Sequence, residues 1–166
     1  MTTDSERDTS DPELERRLGV YLAELFDEVI EEEGQFYVSY GSTVLEIGAE
    51  EHRGEDIEVA DGTTIVIMAY CVQGAEVDEE LATALLEANH TLPFGAFSVV
   101  GRDIFFSHTL FADDLERQSL FHAVAAVAEI SDRYDDRIVA RFGGQRALDR
   151  IRGTGGRRRR REGARG

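Results

Sequence analysis

Residues 63–72 read Thr63-Thr64-Ile65-Val66-Ile67-Met68-Ala69-Tyr70-Cys71-Val72. In an extended chain, Ile65, Ile67, Ala69 and Cys71 face one way, and Val66, Met68, Tyr70 and Val72 face the other. Neither set is polar, so the stretch predicts a central strand covered on both faces. One face is expected to pack on helices. The other needs a cover of its own, because large exposed apolar patches usually mark contact sites. Met68 and Tyr70 suit such a contact: methionine adapts its shape, and tyrosine joins an apolar ring to a polar tip.

Upstream, the apolar residues alternate. Phe36, Val38 and Tyr40 interleave with Tyr37 and Ser39, and after Gly41, Leu45, Ile47 and Ala49 interleave with Val44 and Glu46. These are two strands. Residues 50–56 (EEHRGED) read as a charged turn, Ile57 and Val59 as a short strand or strand entry, and Asp61-Gly62 as a hairpin signal. Further back the period becomes helical. Asp11 is placed to cap a helix with Pro12 at its first position. Leu14, Leu18, Tyr21, Leu22, Leu25, Phe26, Val29 and Ile30 then continue one apolar stripe towards a stop at Gly34.

Downstream, Asp78 caps a second helix carrying Leu81, Leu85 and Ala88, which ends near Asn89, ahead of Pro93. Residues 96–100 and 104–110 follow as two strands about a Gly101-Arg102 turn. A third helix spans about Asp114 to Phe142, with Leu120, Val124, Val127, Ser131, Tyr134 and Ile138 as its stripe and Asp113-Asp114 as its cap. A short helical turn is expected over residues 145–152, with Ala147, Leu148 and Ile151 on one side. The fold class is α+β, in the order α-β-β-β-α-β-β-α. Residues 1–10 read as a disordered N-terminus, 11–144 as the domain, and 145–166 as a mostly disordered Arg/Gly-rich tail.

The chain has 166 residues and a net charge of −16. That charge is unevenly placed: residues 1–142 hold 9 Arg against 32 acidic residues, and residues 143–166 hold 9 Arg against 2. An acidic body repels nucleic acid and anionic membranes and favours basic partners. No apolar run approaches the ~20 residues of a membrane-spanning helix, and the polar N-terminus is unlike a secretory signal. A cytoplasmic protein is expected. The run Arg157, Arg158, Arg159, Arg160 and Arg161 is the candidate for electrostatic contacts with nucleic acid or an acidic partner. The tail has no aromatic residue on which bases could stack.

Little in the sequence points to catalysis. The chain has no GxSxG, GxGxxG or Walker-type loop. Its single cysteine, Cys71, lies in the apolar strand, and His52, His90, His108 and His122 form no HxH or HxxxH pair. Asp135-Asp136 reads as a solvated helix face, since neighbours on a helix point about 100° apart. No metal and no cofactor are expected. Phe105 and Phe106 point to opposite faces of their strand, so one or the other is expected to extend the Met68–Tyr70 patch. The competing expectation is that the long third helix covers that face.

Three segments carry a family resemblance. They are Leu85-Leu86-Glu87-Ala88-Asn89-His90-Thr91-Leu92-Pro93-Phe94-Gly95-Ala96-Phe97, then Ile104-Phe105-Phe106 with His108-Thr109-Leu110, and Ser131-Asp132-Arg133-Tyr134-Asp135-Asp136 running into Phe142-Gly143-Gly144. Over about Leu14 to Gly144 the chain resembles the YbjN-like group, related to type III secretion chaperones of the CesT kind. The resemblance implies a curved antiparallel sheet flanked by helices. It also implies a non-catalytic module that binds a protein or peptide, often as a homodimer. Some members carry the label of sensory transduction regulator. The alternatives are a regulator whose Arg-rich tail engages nucleic acid or an acidic partner and, third, an enzyme without a recognised motif.

Overall fold

The computed structural model describes residues 11–41, 43–52 and 62–147. Helix α1 (Pro12–Leu25) is followed by strands β1 (Val29–Glu32), β2 (Gln35–Tyr40), β3 (Thr43–His52) and β4 (Gly62–Gln73). Helix α2 (Glu79–Thr91), strands β5 (Ala96–Val100) and β6 (Asp103–Phe111), helix α3 (Arg117–Phe142) and a two-residue strand β7 (Gln145–Arg146) complete the order. All pairings are antiparallel. The sheet runs β1-β2-β3-β4-β6-β5, with β7 added beside β4. The α+β class and the five expected strands are therefore present, and β1 and β7 are added to them.

Two local signals explain α1. The Asp11 carboxylate accepts hydrogen bonds from the Glu13 and Leu14 amides, and Pro12 occupies the first turn. Leu14, Leu18 and Leu22 are buried. The helix is shorter than its stripe suggests. Phe26 is already extended, and Val29 and Ile30 belong to β1 instead of to a fifth helical turn. The β-branched pair fits the strand. Glu33 and Gly34, expected as the helix end, both have positive φ (52° and 78°), as the centre of a two-residue β1–β2 hairpin requires.

Other boundaries shift in smaller ways. Strand β3 runs through residues 50–52, expected as a turn, and His52 meets the Thr64 hydroxyl at 2.7 Å. Gly62 is the first residue of β4 and pairs with His52; Ile57, Val59 and Asp61 lie outside the described residues. Asp113 and Asp114 do not cap α3. They sit in a 3-10 turn, and Glu116 precedes the helix without a side-chain cap. Gln145–Arg146 is strand where a helical turn was expected, and Leu148 and Ile151 lie outside the described residues. Gly144 lets β7 approach β4: with φ at +86°, a Cβ there would stand 2.8 Å from the Gln73 carbonyl oxygen.

Directly opposed residues in a ladder share a face. The row Val38, Leu45, Ala69, Phe106 and Phe97 crosses five strands, and all five residues are buried. The helices pack on this face. Gly19 of α1 lies against the Phe36 ring, Thr43 donates to the Ala128 carbonyl of α3, and Tyr134 of α3 packs on Phe97 at 5.0 Å. Helix α2 lies beside α3, where Glu80 pairs with Arg141. At the outer strand β5, the Asn89 side chain of α2 accepts from the Phe97 amide (2.7 Å) and donates to its carbonyl (3.1 Å).

Candidate peptide-binding site

The next row carries side chains on the opposite face: Ile30, Tyr37, Glu46, Met68, Ser107 and Ala96. Beside it run Tyr70, Phe105 and Ser98. None of the helix contacts described above falls on this face. Met68 and Tyr70 are half-buried, while Ile30 is 65% exposed. Phe105 stacks on Tyr70 with ring centroids 4.6 Å apart and planes 20° from parallel. Offset stacking of this kind favours a flat aromatic surface.

The two phenylalanines separate as the alternation requires. Phe105 joins Met68 and Tyr70 on the face that no described helix covers. Phe106 lies on the other face, with no exposure, packed against Phe97. It is core, so it is not a surface a partner can reach. Helix α3, the alternative cover for Met68 and Tyr70, packs on the Phe106 side.

A break in the sheet deepens this face into a cavity. Strand β4 bulges between Tyr70 and Val72. That bulge interrupts the ladder with β6; on the opposite edge of β4, the ladder with β3 stops at Leu45–Ala69 and the ladder with β7 begins at Val72–Arg146. Tyr70 and Cys71 fall between the two. The opening is a cavity of about 180 Å³. Tyr37, Met68 and Phe105 line it on the open face, and Cys71, Ser131 and Asp135 line its inner end. A bulge re-aims side chains where regular pairing would bury them.

The polar groups of the inner end differ in character. Burial pushes the Cys71 thiol up to about 12, so it stays protonated and unreactive at neutral pH. The Ser131 hydroxyl donates to the Val127 carbonyl at 2.6 Å within α3. Asp135 Oδ1 is buried and has no hydrogen-bond partner among the described residues. Burial raises this carboxyl to about 6. Asp136 behaves otherwise: it is exposed and meets Arg146 at 3.2 Å. The expectation of a solvated pair thus holds for Asp136 and fails for Asp135. Ser131 was legible as part of an apolar stripe, and Asp135, four residues on, continues that face into the cavity.

The remaining titratable residues do not gather. His108 is half-buried on the helix side with Phe94 edge-on at 5.8 Å, and burial lowers its pKa. His90 and His122 are exposed on separate helices. Among the described residues, no three His, Cys, Asp or Glu side chains are grouped as metal ligands. No described helix is long and apolar enough to cross a membrane. Arg157, Arg158, Arg159, Arg160 and Arg161 lie outside the described residues.

A family model named TY-Chap1, described as "T3SS (YopN, CesT) and YbjN peptide-binding chaperone 1", matches residues 12–150. The chain belongs to this family. The TY-Chap1 match covers every described helix and strand and runs past Gly144 through β7. Among curated proteins, none matches the chain. Membership makes the chain a peptide-binding module of chaperone type, and the TY-Chap1 family is one of chaperones, not enzymes. The open, helix-backed antiparallel sheet agrees with that chaperone-like fold.

Proposed function

We propose that a peptide segment of a partner protein binds in extended form across the helix-free face, held by Met68, Tyr70 and Phe105, and that this binding, without catalysis, is the protein's work in the cytoplasm. The observation that carries the reading is the Tyr70–Phe105 stack beside a cavity that opens on a face no described helix covers. Aromatic side chains bury large areas at little entropic cost, and methionine adapts its shape to varied partners. Family membership supports the class of ligand, and the aromatic patch supports the choice of this face.

The test is a tiled peptide library presented to the full chain and to the double variant Met68→Glu, Tyr70→Glu. Both residues are half-buried, so the variant is expected to keep the helical circular dichroism and cooperative melting of the parent. A folded double variant that loses the bound peptides supports the proposal; retained binding overturns it. Sedimentation decides the competing occupant. If the parent is a dimer, the double variant is a monomer and neither binds peptides, a second copy covers this face and the peptide reading falls. Phe105→Ser repeats the comparison should the double variant unfold.

A further inference from the structure

We propose that the cavity between β3 and β7 receives the arginine side chain of a bound peptide, with Asp135 as its counter-charge. The inference rests on the peptide reading above and adds a specificity to it.

The chemistry of the walls comes first. The entrance is lined by the Tyr70 and Phe105 rings and by Met68, surfaces that suit an aliphatic stem and a flat cation. Glu46 stands in the wall on the open face, in the same cross-strand row as Tyr37 and Met68. Its neighbourhood is negative enough to raise the Tyr37 pKa, Glu46 being the chief cause. At the inner end lies Asp135, with one buried oxygen lacking any donor among the described residues. The lining contains two carboxylates and no cation; Arg146, just outside it, is paired with Asp136 at 3.2 Å and offsets only part of the burial that raises the Asp135 carboxyl.

An unsatisfied buried carboxylate oxygen is costly, and the cost disappears when a donor arrives. Guanidinium fits best. It is planar, stacks on aromatic faces and brings five N–H donors in a fixed fork. An ammonium offers neither the plane nor the stacking. The space, about 180 Å³, is room for several waters and so for one long side chain. The acidic body adds long-range attraction for the same ligand.

The probe is N-acetyl-arginine methylamide, titrated into the ¹⁵N-labelled full chain and followed by amide shifts. Saturable shifts at Ser131, Asp135 and Ala147 are expected. They should be absent with the norleucine counterpart, and Asp135→Asn should weaken binding roughly tenfold or more, the loss of one charged hydrogen bond. Equal shifts from the norleucine compound, or unchanged affinity in Asp135→Asn, overturn the proposal. Glu46→Gln gives a second, milder loss if Asp135→Asn fails to fold.

A last arm addresses the chain's own arginines. In a full-length variant with Arg157 to Arg161 replaced by serine, probe affinity is expected to stay the same. If it rises sharply and the three amides move before any probe is added, the tail itself fills the cavity, and the partner reading is overturned. Should the probe fail to bind while library peptides still depend on Met68 and Tyr70, only the arginine proposal falls.

Discussion

At the scale of single residues, Asp135 is the informative case. Burial lifts its carboxyl from the ordinary 3.8 to about 6. Between those values the folded protein holds a proton that the unfolded chain has released. The stability linked to that proton is complete below the lower value and is lost as pH rises through the upper one. At neutral pH the charged carboxylate therefore destabilises the fold. Asp135→Asn is predicted to raise the melting temperature at pH 7.5, with the gain shrinking as pH falls through about 6. The side chain is half-buried and solvent screens it, so the gain should be about 1 kcal/mol or less. Thermal melts across that range test this, and a pH-independent effect would sink it. A charge kept at a cost to stability is what a binding site, and not a core, retains.

At the scale of elements, packing of α1 is the strongest local claim. Leu22 is fully buried, and Leu22→Ala is predicted to cost ~2–5 kcal/mol in denaturant unfolding. An unchanged midpoint would mean that this face is not core. Helix α3 was legible because its stripe is long and strictly periodic, and α2 from a short stripe with a cap at Asp78, whose carboxylate accepts from the Leu81 amide. The end of α1 was not. Val29 and Ile30 happen to continue the helical phase, and only their pairing with Val38 and Tyr37 makes them a strand. Strand β7 is two residues long and has no periodicity to read. The patch of Met68 and Tyr70 was visible as the second apolar face of a central strand. The cavity was not, because it depends on a bulge in β4 and on where β3 and β7 stop, features set by distant pairings. Which of Phe105 and Phe106 faced outward was likewise decided by register, since one residue of slip exchanges them.

At the scale of the whole molecule, charge and face work together. With a net charge of −16, the protein attracts basic segments before any contact forms. Peptides carrying arginine are predicted to bind several-fold more weakly as salt rises to roughly half-molar, where the screening length falls to a few ångströms. Uncharged apolar peptides should be nearly indifferent. Anisotropy titrations of matched pairs test this, and equal salt dependence would remove charge from the account. The rims of the sheet matter as much as its face. An open sheet ends in strands with unspent amide and carbonyl groups, an invitation to any extended chain. Here one rim, β1, carries Glu31 and Glu32, and the other, β5, has the amide and carbonyl of Phe97 already taken by Asn89. Aggregation spreads by adding strands to such rims. Both devices work against strand addition at the rims, which would keep a module that binds peptide segments from polymerising with them along its edges.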